Sequence, residues 1–252
     1  MNILTGKGNF KLILPVVAFL LLLFCPRANS KVYMDYDFSG DLVWQMGHFE
    51  VYDIIERGVV IGEARVEYSE LTMLDDVAYR LEWEETWTEE DQEYNVIQDV
   101  KFAGSDLRAL MCSRVERTGD KEWRYEGNYS GDNMTIQAYY PDQPDRYDYA
   151  ISRSIRFSDS DMVPILLRNI PFEPENFVTF TVMDIKSHSL YTPIVKVTGT
   201  EVVETANTQY DCWVVNVSTS TSGYTAWYSR SDQHYLIKIR YNDRDFVLNH
   251  HS

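Results

Sequence analysis

The densest group of chemically capable side chains lies between Glu82 and Glu93. Glu82, Glu84, Glu85, Glu89, Glu90, Asp91 and Glu93 surround Trp83 and Trp87. Two chemistries suit such a group. The carboxylates would take a cation, or they would bond sugar hydroxyls while tryptophans stack on the rings. A plainer reading accounts for the same residues. In Val77-Ala78-Tyr79-Arg80-Leu81-Glu82-Trp83-Glu84 the odd positions are apolar, and Trp87 continues them. Alternation of that kind marks a half-buried strand. The tryptophans then belong to a core face and the acids to a solvated hairpin, which is the favoured reading.

Other reactive constellations are weaker. His48, His188, His234, His250 and His251 show no i, i+4 pair of the kind that holds zinc beside a catalytic Glu. There is no G-x-S-x-G elbow and no phosphate loop. Thirty-nine acids make carboxylate pairs unavoidable, so no glycosidase pair stands out. Asp159-Ser160-Asp161 suggests a calcium loop, but no glycine bend or closing bidentate Glu follows, and helix capping explains it better. Asn128, Asn133 and Asn216 begin glycosylation triplets, which carry meaning only in a host that glycosylates them. No catalytic residue, metal ligand or cofactor is therefore assigned.

Residues 1–30 read as an export leader. Lys7 and Lys11 precede an apolar run from Leu12 to Phe24, and Ala28-Asn29-Ser30 forms a small-x-small cleavage site. The run is too short to span a bilayer, which takes about 20 residues. Phe24, where a lipoprotein box has a small residue, argues against lipidation at Cys25. Cleavage after Ser30 leaves 222 of the 252 residues as one domain, 31–252. Losing Lys7, Lys11 and Arg27 takes the net charge from −16 to −19. Such a charge disfavours nucleic acid and anionic lipid surfaces as partners. The expected place is the periplasm or the medium. Cys112 and Cys212 remain, and in an oxidising compartment they are expected to pair. Buried free thiols are the alternative.

These side chains must be positioned by strands. Tyr235, Ile237, Ile239 and Tyr241 alternate with Lys238 and Arg240, and Phe49, Val51 and Ile55 do so more weakly. Segments 178–182, 194–197 and 212–217 are apolar on both faces and should be covered on both. Turn residues such as Arg57-Gly58, Leu74-Asp75-Asp76, Thr118-Gly119-Asp120, Ser130-Gly131-Asp132, Pro141-Asp142-Gln143-Pro144 and Asn242-Asp243 separate roughly ten to twelve strands. The fold class is all-β: a large, strongly curved antiparallel sheet, half-barrel or barrel-like. One short helix is expected from Asp159 to Arg168, capped by Ser or Asp, primed by Pro164 and stopped by Pro171 and Pro174.

Tyr52-Asp53-Ile54-Ile55-Glu56-Arg57-Gly58-Val59-Val60-Ile61-Gly62-Glu63-Ala64 resembles the opening hairpin of the bacterial envelope family called domain of unknown function 3108. Ala226-Trp227-Tyr228-Ser229-Arg230-Ser231-Asp232 with Tyr235-Leu236-Ile237-Lys238-Ile239 is similar to its closing hairpin. Leu166-Leu167-Arg168 resembles its middle segment. The resemblance implies an exported, mostly β protein, similar in outline to the curved-sheet carriers of periplasmic lipoproteins, with no catalytic residues to carry over. It raises the expectation of a non-enzymatic binder holding an apolar or lipid-like ligand, lined by Trp83, Trp87, Tyr224 and Trp227. A carbohydrate-binding or glycan-acting protein and a structural partner in an envelope complex are the alternatives.

Overall fold

The computed structural model describes residues 31–33, 36, 38, 46–73, 76–104, 107–130, 133–143, 147–152, 158–220 and 222–252. The leader at 1–30 with its Cys25, and turn residues Leu74, Asp75, Gly131, Asp132 and Pro144, lie outside them.

Two meanders build one sheet. The first runs β2 (Phe49–Glu56), β3 (Val59–Met73), β4 (Asp76–Glu89), β5 (Gln92–Ala103), β6 (Ala109–Thr118), β7 (Lys121–Ser130), β8 (Asn133–Tyr139) and β9 (Tyr147–Ser152). The second runs β14 (Ile194–Glu204), β15 (Gln209–Ser218), β16 (Gly223–Ser229), β17 (Leu236–Tyr241) and β18 (Arg244–His251). The last strand, β18, pairs antiparallel with β2 and fuses them. Short strands β1 (Val32–Tyr33) and β11 (Phe177–Thr179) extend the far edge, so the sheet is open, with β1 and β9 at its ends. The turn between β2 and β3 uses the expected residues: Arg57 (φ 50°) and Gly58 (φ 81°) occupy the left-handed region that hairpin turns require.

The chain between the meanders folds back against the concave side. A small sheet of β10 (Ser158–Asp159), β12 (Val182–Asp184) and β13 (Ser189–Tyr191) accompanies one helical segment. This begins with a 3₁₀ turn at Ser160–Met162, continues as α1 (Val163–Leu166) and ends with a 3₁₀ turn at Leu167–Asn169. Asp159 caps it by accepting a bond from the Asp161 N–H at 2.9 Å, and Pro164 sits in the first turn, where its missing N–H has no cost. Met162, Val163, Ile165, Leu166 and Leu167 are buried and join one core with Tyr52, Val66, Leu81, Val100 and Ile136 from the wall. Helix and side chains thus pack the concavity.

Gly62 shows how tightly the wall fits. A Cβ there would stand 2.1 Å from the Thr86 carbonyl and 2.6 Å from the Trp87 Cα. Replacing it with Ala is expected to lower stability by about 1–3 kcal/mol through overpacking, read from the urea midpoint.

Three expectations need correcting. The first concerns β2. Its inward face carries Glu50, Tyr52 and Ile54, while Phe49 lies under Arg65 on the other face. Only Val51 of the expected series is deeply buried. The second concerns double-sided cover, which is not general. Val195 and Val197 are buried while Ile194 is 50% exposed, and Asn216 is exposed beside buried Val215 and Val217.

The third is the disulfide. Cys112 and Cys212 are free and buried. Cys112 faces inward between Val100 and Gly127, its sulfur near Met134 and Ile185 across Gly127. Cys212 alternates with Trp213, Val215 and Val217 and so occupies the opposite face of a strand eight places away in the sheet. Thiol titration of denatured, unreduced protein lacking the leader is expected to give two equivalents. Zero would restore the bridge.

Candidate functional site

The helical segment is tied to the wall at both ends. At its C-terminal end Arg168 and Glu50 are 1% and 2% exposed and meet at 2.9 Å. Tyr52 and Tyr68 both donate to the same Glu50 oxygen, at 2.6 and 3.1 Å. Arg168 further donates to the Gln233 carbonyl at 3.0 and 3.2 Å. Burial, and then the Glu50 charge, push both tyrosine hydroxyls well above their ordinary pKa, so they stay protonated donors. This is a satisfied buried network and serves as an anchor.

At the N-terminal end Asp161 accepts from Arg114 at 2.9 Å, and Arg114 also holds Glu116 at 2.6 Å. Tyr129 donates to Asp159 at 2.6 Å. Desolvation, reinforced by Asp161, raises Asp159 to about 7. Desolvation likewise raises Glu85 to about 7, against a smaller opposing pull from Arg114. Among the described residues no group of His, Cys, Asp and Glu could hold a metal ion.

Beside this end opens a cleft of about 230 Å³. Ser160, Asp161, Val163 and Pro164 form the helix side, Tyr191 and Pro193 the small-sheet side, and Val217, Thr219, Ser222, Gly223, Tyr224 and Tyr241 the wall of the large sheet. Tyr228, four residues after Tyr224 on the same strand, donates to the Pro164 carbonyl at 2.7 Å and fixes α1 against that wall. The Tyr224 hydroxyl is buried with no hydrogen-bond partner among the described residues. An unmade bond of that kind costs about 1–3 kcal/mol. The surface is part apolar, part hydroxyl, with one carboxylate.

Of the four ligand candidates read from the sequence, Tyr224 alone lines this cleft. Trp83 is core, stacked on Tyr52 at 5.8 Å and 13°. Trp87 stacks on Tyr94 at 5.1 Å, with the Arg244 guanidinium 5.0 Å from its ring. Trp227 lies on the outer face with Lys238 and Arg240 over its ring, its indole N–H donating to Glu201 at 2.9 Å. Asp161, Tyr191 and Tyr241 were missed as lining residues. Separate segments supply them, and no local pattern signals their meeting.

No helix among the described residues is long and apolar enough to cross a membrane. No curated protein matches the chain. Among solved structures, the chain is similar to a β-barrel-like protein of domain of unknown function DUF1849 from Brucella abortus. The TM-score is 0.52 at 11% identity, over 81% of this chain and 96% of that one. That likeness concerns the fold. A family model described as protein of unknown function (DUF3108) matches residues 50–245, from Glu50 of the anchor to Asp245 of β18. With both hairpins and the anchored helix inside the match, the chain belongs to the DUF3108 family.

Proposed function

We propose that the protein is an exported, non-enzymatic envelope protein that holds one apolar, lipid-like ligand in the cleft beside the capped end of the helix. The cleft itself carries the reading: Val163, Pro164, Pro193 and Val217 provide apolar wall and three tyrosines an amphipathic one. Pockets that combine an apolar lining with a few polar groups are the usual form of a small-molecule site. Its volume lies below the common 300–1,000 Å³, so a short or single chain fits and a two-chain lipid does not. The leader pattern at residues 1–30 supports export. The glycan alternative loses its platform, because Trp83 is buried and Trp87 is covered by Tyr94 and Arg244.

Native mass spectrometry of protein purified from its host is expected to show a mature chain starting at Lys31 with one noncovalent adduct of small-amphiphile mass. Tyr224→Trp, which fills the cleft, is expected to remove the adduct. A bare chain from the host, stable to gentle ionisation, would count against ligand binding. An N-terminus at Met1 would count against export.

A further inference from the structure

The chemistry of the cleft narrows the ligand beyond apolar, and this narrowing rests on the binding role proposed above. Among the described residues the polar wall offers acceptors and aromatic rings, and no Lys or Arg lines it. Asp161 supplies a carboxylate, and the Arg114 guanidinium that meets it at 2.9 Å is also held by Glu116 at 2.6 Å. Behind Asp161 stand Asp159 and Glu85, which burial keeps protonated up to about pH 7 and which add negative charge only above it. Asp184 adds to the field at Tyr191, whose hydroxyl is held above its ordinary pKa by burial and then by Asp184, Asp161 and Asp159. An anionic head placed here would meet this field without a partner. A cation would be attracted by it and by the tyrosine rings. Tyr191, Tyr224 and Tyr241 are three such rings around one opening, and Tyr241 is 44% exposed at its rim.

We infer that the cleft selects an organic ammonium group, with Tyr191, Tyr224, Tyr241 and Asp161 around the cation and Val163, Pro164 and Val217 against its attached chain. Cation–aromatic attraction contributes most where water is displaced, as at the inner wall by Tyr224. A chain-bearing ammonium head and a small free ammonium compound share this chemistry, so both belong in the test.

The purified protein is titrated calorimetrically with octyltrimethylammonium, octyl sulfate and octanol, each below its micelle concentration, and with choline. Octyltrimethylammonium is expected to bind at least tenfold more tightly than the sulfate or the alcohol. Tyr241→Ala, at an exposed position, is expected to weaken it at least fivefold with an unchanged circular dichroism spectrum, and Asp161→Asn to do the same where the variant folds. Choline binding as tight as the octyl compound would place the natural ligand among small ammonium compounds; tail dependence would place it among lipids. Either outcome supports the inference. Equal binding of all three octyl compounds, or preference for the sulfate, overturns the ammonium assignment and leaves the apolar-ligand reading standing. No binding of any probe overturns both.

Discussion

Arg168→Met is expected to cost about 3–5 kcal/mol of folding stability, the range for breaking one side of a buried ion pair. The substitution leaves the Glu50 carboxylate 2% exposed, without its guanidinium and with only tyrosine hydroxyls as donors. It also strips two bonds from the Gln233 carbonyl. Total stability of a domain is typically 5–15 kcal/mol, so the loss is a large fraction of it. Glu50→Gln combined with Arg168→Met removes the stranded charge while keeping an acceptor for both tyrosines. The pair is therefore expected to lose less than the sum of the two single changes, a coupling that a double-mutant cycle measures. Urea unfolding followed by tryptophan fluorescence suits the test, because Trp83 stacks on Tyr52 beside Glu50. A single Arg168→Met loss under about 1 kcal/mol would show that water reaches Glu50 and that the anchor is not dry.

Raising the pH from 5 to 8 is expected to destabilise the protein through Asp159, by on the order of 2–3 kcal/mol. The folded pKa is about 7, against an ordinary 3.8, because burial and then Asp161 disfavour the ionised form. The fold thus prefers the protonated acid. That contribution is complete below about pH 3.8 and is lost as the pH rises through about 7. Glu85, raised to about 7 by desolvation, acts in the same direction. Among the described residues, the groups around them are Asp161, Glu116 and Asp184 with Arg114, Lys186 and Arg244, and it is desolvation, the largest cause at both, that sets the direction. Asp159→Asn keeps the capping oxygen and removes the titration. It is expected to raise the urea midpoint most at pH 8, by a smaller amount at pH 5, and to flatten the profile between. The overall charge of −16 also favours acid conditions, but it is common to both proteins and cancels in the comparison. A wild-type profile parallel to that of Asp159→Asn would remove Asp159 from the account.

The parts of this structure that were legible in the sequence are those fixed within a few residues. Arg57-Gly58 announced its hairpin because glycine and its neighbour must take positive φ. Asp159 and Pro164 announced the helix start for reasons of capping and missing N–H. The Glu89–Glu93 hairpin is solvated, as alternation implied, but Glu85 shares the face of Trp83 and goes inward with it. What was not legible depends on which face a distant strand presents. Bulges at Ile54/Ile55, Lys101/Phe102, Val197/Gly199, Trp227/Tyr228 and Leu248/His250 each shift the register, so parity cannot be counted along the chain. Hence Cys112 and Cys212 looked pairable yet face opposite ways, and Trp227 looked like lining yet lies outside. The Glu50–Arg168 pair spans 118 positions and has no local signature. The cleft is assembled from helix, small sheet and large sheet together, so only Tyr224 of its lining could be guessed.

The joint between β18 and β2 also sets an order of events. Glu56 pairs with Arg244 and Glu50 with His251, near opposite ends of the domain. Neither meander can complete the wall until the last strand has been made and delivered. Closing so long a loop carries its entropy cost before any contact repays it, which slows folding. Meanwhile β2 offers a bare edge bearing Tyr52 and Ile54 to whatever strand it meets first. Truncating the final strand is therefore expected to leave a chain that aggregates, which light scattering during refolding would read.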